Sequence, residues 1–259
     1  MLNLLQSSYT LYIALGMFAA LLAALWLGRR LQRRAKAGAD AGSGLIEAAV
    51  FGLLGLLIAF QVNGAANRLE RRRELVVQET AAVGTAWLRL EMLPEAPRAE
   101  IRGLVRTWLD ARVRSRQADV TVDQAIELVD QARALEPRIW TLAVDASRAD
   151  GWPPTATLLL PSLNQMFDIA AARDVAALTH APGAMLSLLV GAALLGALLA
   201  GRAQARAPNA GWVPGVAFAA ILAIAAFVLL DMEFPRRGII TIGRAETMLQ
   251  DLHRSLQAP

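Results

Sequence analysis

The stretch LIEAAVFGLLGLLIAFQVNGAANRLERRRELVVQETAAVGTAWLRLEML, residues 45–93, decides the fold. Residues 45–62 are apolar enough to sit in lipid, and everything after them is charged and amphipathic. With no proline before Pro94, the stretch predicts one helix that leaves the bilayer and continues into water. At 1.5 Å per residue it would run about 70 Å, against a hydrocarbon core of about 30 Å.

Within the apolar part, Ala48, Gly52, Gly55 and Ala59 recur at steps of four and three and place small side chains on one face. Such a face lets another backbone approach closely, so it is a candidate helix-packing face first and a pore lining second. Glu47 falls near the helix start, where the positive end of the helix favours an interfacial carboxylate. Gln61, Asn63 and Asn67 are candidate polar residues at the membrane exit. Beyond them, Leu69, Val76, Val83, Trp87 and Leu90 form a seam at spacings of seven, seven, four and three. Glu70, Arg71, Arg72, Arg73, Glu74 and Glu79 are expected to make a solvated face opposite it.

Outward from this stretch, residues 9–27 form an uncharged apolar run followed by GRRLQRR. A secretory signal would carry its charge before the apolar core, so an uncleaved first span is expected. Pro94 and Pro97 end the long helix and start another, over about 98–116, with Ile101, Leu104, Val105, Trp108 and Leu109 inward and arginines opposite. Thr121 and Gln124 are spaced for a capping box before a further helix, with Val122, Ile126, Val129 and Leu135 as its stripe and Pro137 as its interruption. DGWPPTAT, 150–157, reads as a turn, and 158–178 as a helix with Pro161 in its first turn. Residues 185–200 and 213–230 are the third and fourth spans. In the tail, Pro235, Arg236, Arg237 and Gly238 form a turn, 239–242 a short extended run, and Met248, Leu249, Leu252 and Leu256 the face of an amphipathic helix expected to dock on the middle domain.

The chain therefore reads as an all-α membrane protein. Four transmembrane helices form two hairpins, with a helical extramembrane domain continuous with the second and third spans. The divisions are 1–62, the first hairpin; 63–183, the extramembrane domain; 184–230, the second hairpin; and 231–259, the tail. A hydrophobic content of 56% over 259 residues fits this division. The formal charge of +4 does not mark a nucleic-acid surface, because residues 63–183 carry 15 basic and 16 acidic side chains and the surplus lies on two short loops. Those loops hold Arg29, Arg30, Arg33, Arg34 and Lys36, and then Arg202 and Arg206. The positive-inside rule places them in the cytoplasm and the middle domain outside.

FGLLGLLIAF, then NRLERRRELVVQETAAVGTAWLRLEMLPEAPRAEIR and the closing LDMEFPRRGIITI, resemble the bestrophin-like domain family of bacterial membrane proteins. Pro94 and the 235–238 turn are the family-like turns. The resemblance implies a link to bestrophins, oligomeric anion channels whose second helix lines a pore with closely spaced aromatics. Here Phe51 and Phe60 are nine residues apart, about 180° around a helix, so they do not share one pore face.

Catalytic chemistry is not signalled. The chain has no cysteine and two histidines, His180 and His253, with no phosphate-cradling loop or ligand cluster. No enzyme and no cofactor are expected. Two functions are: an oligomeric, bestrophin-like ion channel or transport-like protein, passing anions if a channel, and alternatively a membrane-anchored helical sensor, scaffold or partner-binding module. The expected partners are the lipid bilayer and further copies of the chain.

Overall fold

The computed structural model describes residues 2–34, 43–117, 119–206, 211–233 and 243–257. Every regular element among them is helical: α1 (Leu2–Arg34), α2 (Ser43–Arg89), a 3₁₀ turn (Leu90–Met92), α3 (Glu95–Arg114), α4 (Val122–Asp150), α5 (Pro153–Leu178), α6 (Gly183–Arg206), α7 (Val213–Glu233) and α8 (Gly243–Gln257). The protein is an all-α membrane protein. Helix α1, helix α2, the α5–α6 run and helix α7 each contain a stretch long and apolar enough to cross a membrane. The expected turn at Pro235, Arg236, Arg237 and Gly238 and the extended run at 239–242 lie outside the described residues.

Two compact units divide the chain, one of residues 1–69 and 180–241, the other of 70–179 and 242–259. In the first, α1 packs against both α6 and α7. Its apolar core is Leu21, Leu54, Ala193, Ala197, Ala219 and Leu222, with Phe51 edge-on to Phe218 at 5.7 Å. The α1–α6 crossing is close because Gly28 and Gly201 carry no side chain. A Cβ on Gly28 would stand 2.0 Å from the Leu198 carbonyl oxygen, and one on Gly201 would stand 2.0 Å from that of Leu25. Small residues at helix crossings allow this approach in lipid, where no hydrophobic force favours helix association over lipid contact.

The seam of α2 is inward as its spacing predicts, with Leu69 buried at the end of the first unit and Val76, Val83 and Leu90 buried in the second. Val76, Val83 and Leu90 join Ile101, Val105, Trp108, Ile139, Leu163, Met166, Leu249 and Leu256 in one core. Helix α8 packs on α3, where Arg106 Nε donates to the Leu256 carbonyl at 2.7 Å and His253 Nε2 lies 3.3 Å from Asp110. Thr121 and Gln124 form the full capping box.

Three local expectations are corrected. Pro137 does not interrupt α4, which continues to Asp150. The bond it removes belongs to the Arg133 carbonyl on the exposed side of the helix, while Ala132, Ile139 and Ala143 anchor the other side in the core. The α4 stripe is also shifted: Val122 and Ile126 are exposed, and the buried face runs through Ala125, Ala132, Ile139, Ala143 and Ala146. The turn expected at 150–157 shrinks to Gly151 and Trp152, because Gly151 takes a left-handed φ of 64° and Pro153 and Pro154 fit the first turn of α5. Pro161 thereby becomes an interior residue of that helix.

Candidate functional site

In the membrane unit, α2 presents three faces. One packs inward through Glu47, Phe51, Leu54, Ile58 and Ala65. A second, about 120° away on a regular helix, carries Ala48, Gly52, Gly55 and Ala59, and all four are exposed. Added Cβ atoms on Gly52 or Gly55 would meet nothing within 4 Å. The remaining face holds Ile46, Leu53 and Phe60, large and exposed as suits lipid contact.

Ion pairs clamp α2 at both borders of its apolar part. Glu47 is 8% exposed, and its Oε1 is 3.0 Å from Arg206 Nη2 at the end of α6. At the other border Arg68 donates to Glu233 of α7, with Nε 2.9 Å from Oε1. Twenty-one residues separate Glu47 from Arg68, about 32 Å of helix and close to the thickness of a hydrocarbon core. Asp231, two residues before Glu233, is also buried. Beside this border Asn63 and Asn67 are exposed, whereas Gln61 is half-buried with its Nε2 enclosed and unbonded. Pro94 caps the start of α3.

The extramembrane unit holds the cluster that sequence reasoning missed. Arg72 and Glu79, expected on a solvated face, are buried at 6% and 0% exposure, while Glu70, Arg71 and Glu74 are exposed as expected. Arg72 closes the C-terminal end of α5, donating from Nε to the Ala176 carbonyl at 3.1 Å and from Nη2 to that of Thr179 at 2.8 Å. Glu79 accepts from Arg112 Nε at 2.8 Å through Oε1 and from Arg173 through Oε2. Arg112 also reaches both oxygens of Asp174 at 2.7 Å and the Ala170 carbonyl at 3.1 Å, and its guanidinium lies 5.7 Å from the Trp108 ring. Asp174 further accepts from Arg116 at 3.3 Å and Arg133 at 3.5 Å. Glu136 accepts from Trp108 Nε1 at 3.1 Å. Helices α2, α3, α4 and α5 each contribute to this network.

A signal for these residues exists in the sequence. Arg72 and Glu79 each follow a seam residue, Leu69 or Val76, by three, which puts them on the heptad face and not opposite it. Arg112 likewise extends the series Ile101, Val105, Trp108 by four, and Arg173 extends Leu163, Met166, Ala170 by three. A charge in register with an apolar stripe marks a buried pair.

Burial works to raise the Glu79 carboxyl, but the Arg173 and Arg112 charges outweigh it and hold the group below its ordinary value. For Glu136 burial prevails over the Trp108 hydrogen bond and the Arg112 and Arg133 charges, so its carboxyl is raised. The two groups act on stability in opposite directions. Glu79 contributes stability above the usual carboxylate range that is lost as pH falls through its lowered value. Glu136 contributes stability that is complete below that range and lost as pH rises through its raised value. Glu136→Gln is therefore expected to flatten the loss of thermal stability on going from about pH 4 to about pH 8, measured on the purified protein. A variant whose pH slope matched wild type would show that Glu136 titrates as an ordinary exposed carboxyl.

The cavity beside the cluster, lined by Val113, Arg116, Arg173, Glu246, Leu249 and Gln250, holds about 10 Å³, room for at most one water. The network joins the four helices through largely buried, mutually bonded charges. Compared with known proteins, the chain matches a family model described as a bestrophin-like domain over residues 15–247. No curated protein and no solved structure matches it.

Proposed function

Because the chain belongs to the bestrophin-like family, we propose that it is one subunit of an oligomeric ion-conducting protein of a bacterial inner membrane. The observation that carries this reading is the open face of α2. Ala48, Gly52, Gly55 and Ala59 are left uncovered by their own chain, and small residues are what helix-to-helix contact in lipid uses. Neighbouring copies meeting along that face would form a ring, and the polar Asn63 and Asn67 would stand at one mouth. Anions are the expected cargo, by analogy with the channels the family name points to. The reading gives the protein a conduit and assigns it no catalytic chemistry. It places the arginine-rich helix ends in the cytoplasm and the 70–179 unit outside.

The test is native mass spectrometry of the full chain in lipid nanodiscs, together with anion flux into liposomes. A defined oligomer that fluxes, and that Gly52→Leu with Gly55→Leu converts largely to monomer, is the expected result. Both positions are exposed and an added Cβ at either meets nothing within 4 Å, so the subunit itself should fold. A monomer without flux would replace the channel by the anchored partner-binding module. Activity of a cytoplasm-only reporter fused after residue 120 would reverse the orientation.

A further inference from the structure

The end of the membrane unit where α1 and α6 finish carries six arginines, Arg29, Arg30, Arg33, Arg34, Arg202 and Arg206, against one described carboxylate, Glu47. In the adjoining sequence Lys36 and Asp40 cancel. The concentration is a product of the fold. The backbone contact at Gly28 and Gly201 draws the two helix ends together, so arginines 173 residues apart in sequence share one patch. Helix C-termini favour nearby cations, but only weakly and within the last turn, which does not call for six.

Two tryptophans set the depth of this patch. Trp26 and Trp212 are about half exposed, as rings at the headgroup level are. The Arg29 guanidinium lies 4.2 Å from the Trp212 ring, and that of Arg30 5.1 Å from the Trp26 ring. Neutral side chains orient two more contacts: Arg29 donates to Gln204 at 3.5 Å and Arg202 to Gln32 at 3.2 Å. These bonds fix direction without cancelling charge. Arg30, Arg33 and Arg34 are exposed.

We propose that this patch binds the phosphate of anionic phospholipid headgroups, with Arg30, Arg33 and Arg34 as its outer donors. Basic clusters beside membrane helices attract anionic headgroups, and guanidinium groups match phosphate oxygens in pairs. The site's position at the lipid boundary selects a lipid phosphate over a free one. It stands whichever way the chain crosses the membrane, and apart from any channel role.

The test is thermal unfolding of the full chain in uncharged detergent, titrated with phosphatidylglycerol, phosphatidylcholine or inorganic phosphate. Phosphatidylglycerol should raise the midpoint and the other two should not. Arg30→Gln, Arg33→Gln and Arg34→Gln together should weaken its apparent affinity by on the order of 100-fold, the additive loss of three arginines near the membrane surface. The triple change Arg114→Gln, Arg138→Gln and Arg148→Gln, on exposed arginines of the other unit, should leave it intact. If the outer triple variant does not fold, the wild-type shift should still vanish at high salt. Equal shifts with phosphatidylcholine, retention in the outer triple variant, salt insensitivity, or reproduction by inorganic phosphate would each overturn the proposal.

Discussion

Glu79→Gln is expected to destabilise the 70–179 unit by about 3–5 kcal/mol, the usual cost of breaking a buried ion pair from one side. The substitution changes almost no volume, so packing is not the cause. It leaves the guanidinium groups of Arg112 and Arg173, at 3% and 4% exposure, facing a neutral amide that must also place its own N–H₂ group. Arg112 keeps Asp174 and the Ala170 carbonyl, so the larger share of the loss should come through Arg173. Unfolding can be followed by tryptophan fluorescence, since Trp108 lies against Arg112. Replacing both charges, as Glu79→Met with Arg173→Met, should recover much of the loss, because two apolar side chains need no partners. A Glu79→Gln protein within about 0.5 kcal/mol of wild type would mean that water reaches the cluster.

The second large effect is expected at the α1–α6 crossing. Gly28→Ala or Gly201→Ala places a methyl where a carbonyl oxygen stands 2.0 Å away, and both sides of the clash are backbone. No rotamer relieves it, so the helices must separate. Overpacking of this kind costs about 1–3 kcal/mol for one methyl, and the double variant should lose monodispersity on size-exclusion chromatography. Gly16→Ala on α1 and Gly191→Ala on α6 are the controls, because an added Cβ there meets nothing within 4 Å. They should be neutral or slightly stabilising, as alanine is the better helix former. If the controls and the crossing variants behaved alike, the close approach of the two helices would be refuted.

Much of the fold was legible in the sequence, and the reasons differ by element. The spans announce themselves as long uncharged runs, and α1, α6 and α7 differ from expectation only by extra turns at their ends. The α2 seam was legible because sevens in sequence become one stripe in space. Glu79 and Arg112 were misassigned for a physical reason. A charge looks solvated until its partner is found, and the partners here are 33 and 94 residues away, on helices whose packing no local pattern specifies. Glu47 and Arg206, 159 residues apart, illustrate the same limit in the membrane unit. The close glycines escaped notice because Gly28 and Gly201 look no different in sequence from Gly16 or Gly191.

The extramembrane core draws on α8, through Ala245, Leu249 and Leu256, as well as on α2 to α5. In chain order about 60 residues, including both helices of the second hairpin, separate α5 from α8. At a synthesis rate of about 5–20 residues per second, the apolar side of α3 waits some 3–12 seconds before its last covering element exists. That interval exceeds by orders of magnitude the time a helical chain needs to collapse. The nascent protein thus passes through a stage in which most of the domain is made but its sticky face is bare, the moment at which a chaperone or a premature encounter with another chain would have its greatest influence.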